Sequence, residues 1–314
     1  MLDPVVAVAG LFVGFVVGLT GMGGGALMTP ILVLLFGIEP LTAVSSDIVA
    51  SMVMKPVGGA VHWRRGTVHK RLVHWLMLGS VPSAFLGVVL LRSFGSGPTL
   101  QVLIKHALGV ALLVVATGLL LRPLLQRKRS ANESETPLSV RPLPTLAIGV
   151  LGGLVVGMTS VGSGSLMIIM LLVLYPRMRL KELVGTDLVQ AIPLVASAAL
   201  GHFFFGDFKL GLTASILIGS LPGVYLGAQF SSRAPDYVIR PALMVVLLAS
   251  SLKLLGVGTA LVGGIAGVLT LSAVAYAVTA SQRVARERAQ VGVLAAAPQT
   301  PIHTALDDSR AARR

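Results

Sequence analysis

The chain has 314 residues, 54% of them hydrophobic and 12% charged, with a mean hydropathy of +0.88, a formal net charge of +13 and no cysteine. Because soluble proteins carry about 25% charged residues, this composition excludes an ordinary soluble protein. The missing cysteines exclude disulfides and thiolate metal sites. The basic residues cluster in short loops and in the C-terminal tail, as the positive-inside rule of membrane proteins predicts, so no nucleic-acid partner is expected.

The first half of the chain reads as one interrupted apolar helix followed by three spanning helices. A run at residues 4–20 ends in Thr20-Gly21-Met22-Gly23-Gly24-Gly25, and a run at 26–37 follows that is too short to span alone. Three longer runs, each close to the length that crosses a hydrocarbon core of ~30 Å, lie at 42–62, 72–91 and 103–121. Residues 1–121 are therefore predicted to form the first transmembrane repeat.

The second half repeats this order after a polar linker at residues 122–142, which is predicted to be cytoplasmic. The second repeat, at 143–256, has an apolar run, a glycine/serine break and four further runs, at 143–159, 165–175, 183–205, 210–230 and 242–256. The lengths of the runs at 26–37 and 165–175 leave open whether they re-enter or span. A run at 257–280 has no counterpart and predicts one extra transmembrane helix. Residues 281–314 are charged and then low in complexity, which predicts a disordered cytoplasmic tail.

The similarity of the two halves extends to individual residues. The stretches GFVVGLTGMGGGALM at 14–28 and GLVVGMTSVGSGSLM at 153–167 align at a shift of 153 − 14 = 139. At a shift of 140, Asp47 meets Asp187, His62 meets His202, and the segment GSVPSAFLG at 79–87 meets GSLPGVYLG at 219–227. Such agreement indicates an internal duplication.

Loop charges predict that the two copies are inserted in opposite directions. The loop WRRGTVHKR is strongly basic, whereas its counterpart FFFGDFK is nearly neutral; LFGIEP has no basic residue, whereas its counterpart YPRMRLK has three. The expected fold is an all-α polytopic membrane protein of two inverted repeats, each with a broken glycine-rich hairpin and three spanning helices, plus the extra C-terminal helix. The N-terminus is predicted to be periplasmic and the C-terminus cytoplasmic. Paired broken helices in inverted repeats are typical of secondary transporters.

The two breaks are the candidate substrate site. A helix that begins after a glycine turn presents unpaired N–H groups and the positive end of its dipole, which favours an anion. The alternative is that glycines serve close helix packing, and this is the preferred interpretation for Gly14, Gly18, Gly153 and Gly157. Because the second break carries three serines, side-chain contacts to a substrate are expected mostly from that copy. The candidate residues are Thr20, Gly21, Gly23, Gly24 and Gly25 in the first break and Thr159, Ser160, Gly162, Ser163, Gly164 and Ser165 in the second.

Ionisable residues inside the apolar runs are candidates for coupling or gating. Asp47 and Asp187 could take up and release protons, or could cap nearby helix starts; both interpretations stay open. Lys55, which has no counterpart because Val195 takes its place, could pair with Asp47, attract an anion or extend towards the basic loop.

Three further polar residues could line or gate a path. His62 and His202 could relay protons, but interfacial hydrogen bonds are the favoured interpretation. Gln190 could line the path or link helices.

These motifs together resemble the sulfite exporter TauE/SafE family. The resemblance covers about residues 5–255 and includes both breaks, the aspartate after each, the H-x-x-x-G loops and the G-S-x-P-x-x-x-L-G helices. It implies a bacterial inner-membrane carrier of sulfite, a sulfonate or a related small anion. The inverted repeats add the expectation of export by alternating access at a central site between them. The alternatives are an anion channel, a carrier of a different solute, or a scaffold that does not transport.

Enzymatic activity is not expected from this sequence. No H-E-x-x-H or P-loop lysine motif occurs, and the serine and aspartate contexts do not fit intramembrane protease motifs. No catalytic residue, metal site or cofactor is therefore predicted. The expected partners are the small anionic substrate and the lipid bilayer, and a homodimer is left open.

Overall fold

A computed structural model of the chain describes residues 2–20, 24–95, 97–127, 139–178, 180–230 and 236–296. The regular structure in these residues is entirely helical, and each helix lies on one of the predicted apolar runs. The helices are α1 (Pro4–Thr20), α2 (Gly25–Leu34), α3 (Pro40–Arg64), α4 (Lys70–Ser93), α5 (Pro98–Arg127), α6 (Pro142–Thr159), α7 (Leu166–Leu174), α8 (Leu180–Phe205), α9 (Leu210–Phe230), α10 (Asp236–Leu254) and α11 (Thr259–Ala296).

Several of these helices have the length and apolarity to cross a bilayer. Within the described residues, five segments are long enough, and four apolar helical segments are shorter. The long segments are Lys70–Ser93, Pro98–Leu121, Pro142–Thr159, Glu182–Phe205 and Leu210–Gly227; the shorter ones are Pro4–Thr20, Gly25–Leu34, Pro241–Leu254 and Thr259–Ala275. Large apolar side chains such as Phe12, Leu86 and Tyr225 are exposed, as a lipid-facing surface requires. The prediction of an all-α polytopic membrane protein is confirmed.

Contacts divide the chain into two units, residues 1–270 and 271–314. The first unit contains α1 to α10 and the start of α11. In the second unit the helical backbone of α11 continues to Ala296, so residues 281–296 are helical where the sequence predicted disorder. The segment SQRVARERAQ at 281–290 consists mostly of good helix formers, which explains the continuation. Residues 297–314 of the predicted tail and 128–138 of the predicted linker lie outside the described residues.

Helices of one half pack on helices of the other. α1 packs along α9, α4 along α6, α3 against α8, and α5 against α10. Glycine makes the first two contacts close: a Cβ at Gly14 would overlap the Ser220 backbone, and one at Gly153 or Gly157 would overlap the backbone of Ser80 or Ala84. The interpretation of these three glycines as packing residues is confirmed.

The loop that follows each of the paired helices α3 and α8 donates an equivalent hydrogen bond to the other helix. The His69 amide donates to Thr186 Oγ1 over 3.0 Å, and the Lys209 amide donates to Ser46 Oγ over 3.3 Å. These contacts correspond under the shift of 140, since 69 + 140 = 209 and 46 + 140 = 186. The end of each helix therefore lies beside the start of the other, and α3 and α8 run antiparallel.

The buried apolar side chains form two clusters, one around each short helix. One cluster includes Met167 and Leu171 of α7 together with Leu76 of α4. The other includes Met28 and Leu32 of α2 together with apolar residues of α5, α9 and α10. The short helices α2 and α7 are thus largely enclosed by protein, which is the condition under which irregular backbone beside them is tolerated at membrane depth.

Candidate functional site

The second break is a tight turn that depends on its glycines. Helix α6 ends at Thr159 and α7 begins at Leu166. Between them Ser160 has φ 60°, Gly162 φ 126° and Gly164 φ 103°, backbone angles that residues other than glycine rarely adopt. Residues 160–165 are all buried. The Thr159 hydroxyl donates to the Val155 carbonyl over 2.6 Å, a hydrogen bond within its own helix α6.

The first break has the same beginning and end. Helix α1 ends at Thr20, whose hydroxyl donates to the Val16 carbonyl over 2.9 Å, and α2 begins at Gly25. Gly24 precedes α2 with right-handed dihedral angles, φ −58° and ψ −32°. The candidate residues Gly21 and Gly23 lie outside the described residues.

The two breaks meet directly. A Cβ at Gly25 would lie 2.8 Å from the carbonyl carbon of Ser160 and 2.8 Å from its Oγ, and closer still to its carbonyl oxygen. Only glycine allows the start of α2 to approach the turn after α6 this closely.

Asp47 links this contact to α3. Its Oδ2 accepts hydrogen bonds from Thr29 Oγ1 of α2 over 2.9 Å and from Ser160 Oγ of the second break over 2.6 Å. Asp47 is 2% exposed and lies about two turns inside α3. Because its donors are two hydroxyl groups rather than amides of a helix start, the arrangement differs from helix capping. Asp47 therefore links α2, the helix after the first break, to the second break.

Asp187 occupies the equivalent position in the second half but has different partners. Its Oδ1 accepts a hydrogen bond from Gln190 Nε2 over 3.0 Å, and Gln190 Oε1 accepts one from Ser80 Oγ over 3.1 Å. The Gly164 amide lies beside the carboxylate. Asp187 is 0% exposed, and its Oδ2 has no hydrogen-bond partner among the described residues.

The repeat explains why Asp187 lacks the two hydroxyl donors that Asp47 has. The residue equivalent to Thr29 is Ile168, since 29 + 139 = 168, and the residue equivalent to Ser160 is Gly21, since 160 − 139 = 21. Neither has a hydroxyl group. The second carboxylate therefore keeps the position of the first without its two hydroxyl partners.

Lys55 brings a positive charge to the second break. Its Nζ donates a hydrogen bond to Ser163 Oγ and interacts electrostatically with both Asp47 and Asp187. In the described part of the chain, neither carboxylate receives a hydrogen bond from Lys55. Direct pairing with Asp47 and extension towards the basic loop are thus not the observed arrangements. The ammonium group lies where α7 begins, close to the amide groups that an anion would approach.

Both histidines make helix-to-loop or helix-to-helix hydrogen bonds. His202 is buried, with Nδ1 2.8 Å from Ser45 Oγ and Nε2 2.8 Å from the Gly157 carbonyl. Since a carbonyl only accepts, Nε2 carries a proton and donates. His62 Nδ1 lies 2.9 Å from Thr67 Oγ1. These bonds favour the interfacial interpretation, and neither histidine lies in the group formed by Lys55, Ser163 and Asp187.

A groove of about 300 Å³ lies between α3 and α8, away from the breaks. Its lining is almost wholly apolar, so it offers few donors for an anion. It is lined by Pro56, Gly59, Ala60, Trp63, Arg64, Val189 and Ile192.

Two site residues were missed by reasoning from sequence. Ser80 lies in the repeated G-S-x-P segment, which was a usable signal because a polar residue recurs there within an apolar helix. Thr29 gave no such signal, because its counterpart Ile168 is apolar.

The chain is similar to known membrane transporter proteins. A model of the family described as "Sulfite exporter TauE/SafE" matches residues 6–254. "Probable membrane transporter protein YjnA" of Bacillus subtilis (strain 168) is 42% identical over 248 residues, which cover 78% of this chain and 97% of that protein. "Probable membrane transporter protein YdhB" of the same organism is 27% identical over 245 residues, covering 77% and 96%. No solved structure matches the chain.

Proposed function

This chain belongs to the sulfite exporter TauE/SafE family and is a multi-pass membrane transporter of that type, and we propose that it carries sulfite, a sulfonate or a related small anion. The proposed location is the bacterial inner membrane, and the proposed direction is export. The family description and the names of the relatives concern transporters rather than enzymes.

The observation that carries the anion proposal is the position of Lys55. An ammonium group at Ser163 adds a positive charge to the start of α7, where amide groups and the helix dipole already favour negative charge. A charge inside a membrane helix is costly and marks a functional position. The buried Asp187 carboxylate, whose Oδ2 has no hydrogen-bond partner among the described residues, interacts electrostatically with the same ammonium group.

We place the transport step at the meeting of the two breaks. The antiparallel pair α3 and α8, and its equivalent hydrogen bonds at both ends, support two inverted repeats related by a pseudo-twofold axis. Rocking of one half against the other would then expose the site alternately to the two sides. In this arrangement the N-terminus is periplasmic and the C-terminus cytoplasmic.

Flux measurements in liposomes test the proposal. Purified full-length protein should move radiolabelled sulfite or methanesulfonate across the bilayer, with a rate that saturates as the anion concentration rises. A flux that rises linearly with concentration and responds to voltage as a current would favour the channel instead. Absence of flux for both anions, with correctly folded protein in the bilayer, would contradict the proposed substrate class.

A further inference from the structure

The two buried aspartates are equivalent in sequence but not in chemistry. Asp47 has both hydroxyl donors on one oxygen, so hydrogen bonds stabilise its carboxylate charge in place. Asp187 has one side-chain donor, Gln190 Nε2 on Oδ1, and its Oδ2 has no hydrogen-bond partner among the described residues, although the side chain is fully buried. A buried polar oxygen without a partner is rare and points to a group that the protein alone does not supply.

The site carries more negative than positive charge before an anion binds. Asp47 and Asp187 contribute two negative charges when ionised, and Lys55 contributes one positive charge. An anion that binds beside Lys55 would make the site more negative in a medium of low dielectric constant, where like charges repel strongly. A proton that enters with the anion removes this excess.

We propose that Asp187 takes up this proton, so that the protein carries the anion and a proton together; this inference rests on the proposed function. The protonated Oδ2 supplies an O–H donor beside the Gly164 amide and the Lys55 ammonium. Asp47 keeps its two hydroxyl partners and stays out of the proton cycle.

The groups that face Asp187 fit this assignment. Helix α3 contributes the charged group Lys55, which also interacts electrostatically with Asp47. The α3 end also brings His62 Nδ1 to 3.1 Å from where a Cβ of Gly185, two residues before Asp187, would lie. The other groups are neutral: Gln190 and, through it, Ser80 of α4, and the Gly164 amide at the second break.

The cycle balances in charge and protons. On one side of the membrane the Asp187 carboxylate accepts a proton as one anion binds at Lys55. On the other side the anion leaves and the carboxyl releases that proton. For a monovalent anion, one anion and one proton cross together and no net charge moves. The direction then follows the sum of the anion and proton gradients, and export requires an outward anion gradient that exceeds the inward proton gradient.

The test separates exchange from net transport in the variant Asp187→Asn. Asparagine resembles a permanently protonated carboxyl, so exchange of labelled for unlabelled sulfite at equal concentrations on both sides should persist. Net sulfite accumulation driven by a pH gradient should fall by at least about tenfold, because the proton can no longer be released. The same two assays with methanesulfonate, which stays ionised at every pH used, separate proton transfer by the protein from the protonation of sulfite in solution.

Asp207→Asn is the matched control, because this exposed aspartate lies in the loop after α8 and accepts a hydrogen bond from Thr42 rather than from either break. It should keep gradient-driven accumulation, and Asp47→Asn is measured beside it as the rival proton site. If Asp187→Asn still accumulates sulfite in response to the gradient, or if Asp47→Asn alone loses this response, the inference is wrong. If the wild-type protein moves neither anion, the result contradicts the proposed function and not the choice of Asp187 over Asp47.

A second variant covers the case in which Asp187→Asn does not fold. Ile168→Thr supplies a hydroxyl group at the position equivalent to Thr29, and that donor should stabilise the ionised carboxylate. The pH at which gradient-driven flux is half-maximal should then move to lower pH by about one unit, the change expected for one hydrogen bond. An unchanged midpoint with full flux would overturn the assignment of the proton to Asp187.

Discussion

Asp47 Oδ2 accepts a hydrogen bond of 2.6 Å from Ser160 Oγ, a residue 113 positions further along the chain. The same oxygen accepts one from Thr29 of the short helix α2. One carboxylate of the first half therefore holds together the interrupted helices of both halves. We expect this junction to matter for stability more than for recognition of a substrate.

Removing either hydroxyl donor should lower stability. In Ser160→Ala or Thr29→Val, the buried carboxylate loses a partner, which should cost about 1–3 kcal/mol of unfolding free energy. Thermal unfolding of the detergent-solubilised protein measures the change. The matched control is Ser93→Ala, because the exposed Ser93 hydroxyl bonds only to its own helix, and its effect should stay below about 0.5 kcal/mol. Equal stability of all three variants would contradict a structural role for Asp47.

Replacing Lys55 should reduce transport more than stability. Lys55→Gln keeps most of the side-chain length but removes the charge, and anion flux should fall by at least about tenfold if the ammonium contacts the anion. Lys55→Arg keeps the charge with a different donor geometry and should keep part of the flux.

The control for this prediction is Lys253→Gln. Lys253 is at the end of α10, where its Nζ donates to Thr259 Oγ1 over 2.5 Å, an exposed contact. Its replacement should leave flux close to that of the wild-type protein. Should Lys55→Gln transport the anion as fast as this control does, Lys55 has no part in binding.

Two neighbouring glycines should respond oppositely to alanine. A methyl group at Gly25 would enter the backbone of Ser160, so Gly25→Ala should destabilise the protein by about 1–3 kcal/mol and disturb the meeting of the breaks. At Gly24 the nearest atom to a Cβ is Val17 Cγ2 at 4.0 Å, and the backbone there is right-handed. Gly24→Ala should therefore be neutral or slightly stabilising.

Unfolding temperature and flux of the two variants, measured side by side, check this contrast. Loss of stability in both, or in neither, would mean that the breaks do not meet as closely as Gly25 and Ser160 indicate.

Reporter fusions test the predicted orientation. A fluorescent protein that matures only in the cytoplasm, fused after Arg129, should be bright, because the linker is predicted to be cytoplasmic. Alkaline phosphatase, which is active only outside the cytoplasm, should be active after Phe208 in the nearly neutral loop between α8 and α9. The reverse pattern at either site would contradict the inverted arrangement of the repeats.

The helices and the breaks were predictable from the sequence because they depend on local features. Apolar runs indicate membrane helices, and clustered glycine and serine residues indicate where a helix ends, so the bounds of α6 and α7 follow closely. The equivalence of Asp47 and Asp187 also follows from the repeat. The difference between their surroundings does not, because it depends on which residues of distant segments meet.

Lys55 shows the same limit most clearly. The sequence suggested Asp47 as one partner of Lys55, but its hydrogen-bond partner Ser163 is 108 residues away and on the other half of the chain. Whether the side chain turns to a carboxylate, to the membrane surface or to another helix is decided by tertiary packing. Periodicity within one helix carries no information about that choice.

The cross-packing of the two halves also has a consequence for biogenesis. Helix α1 ends at Thr20, and its partner α9 ends at Phe230, 230 − 20 = 210 residues later. At usual rates of synthesis, α1 stays in the membrane without its partner for roughly 10–40 s. During that time its glycine-lined side faces lipid or the insertion machinery. The first half of this protein therefore remains without its packing partners until the ribosome has synthesised the second half.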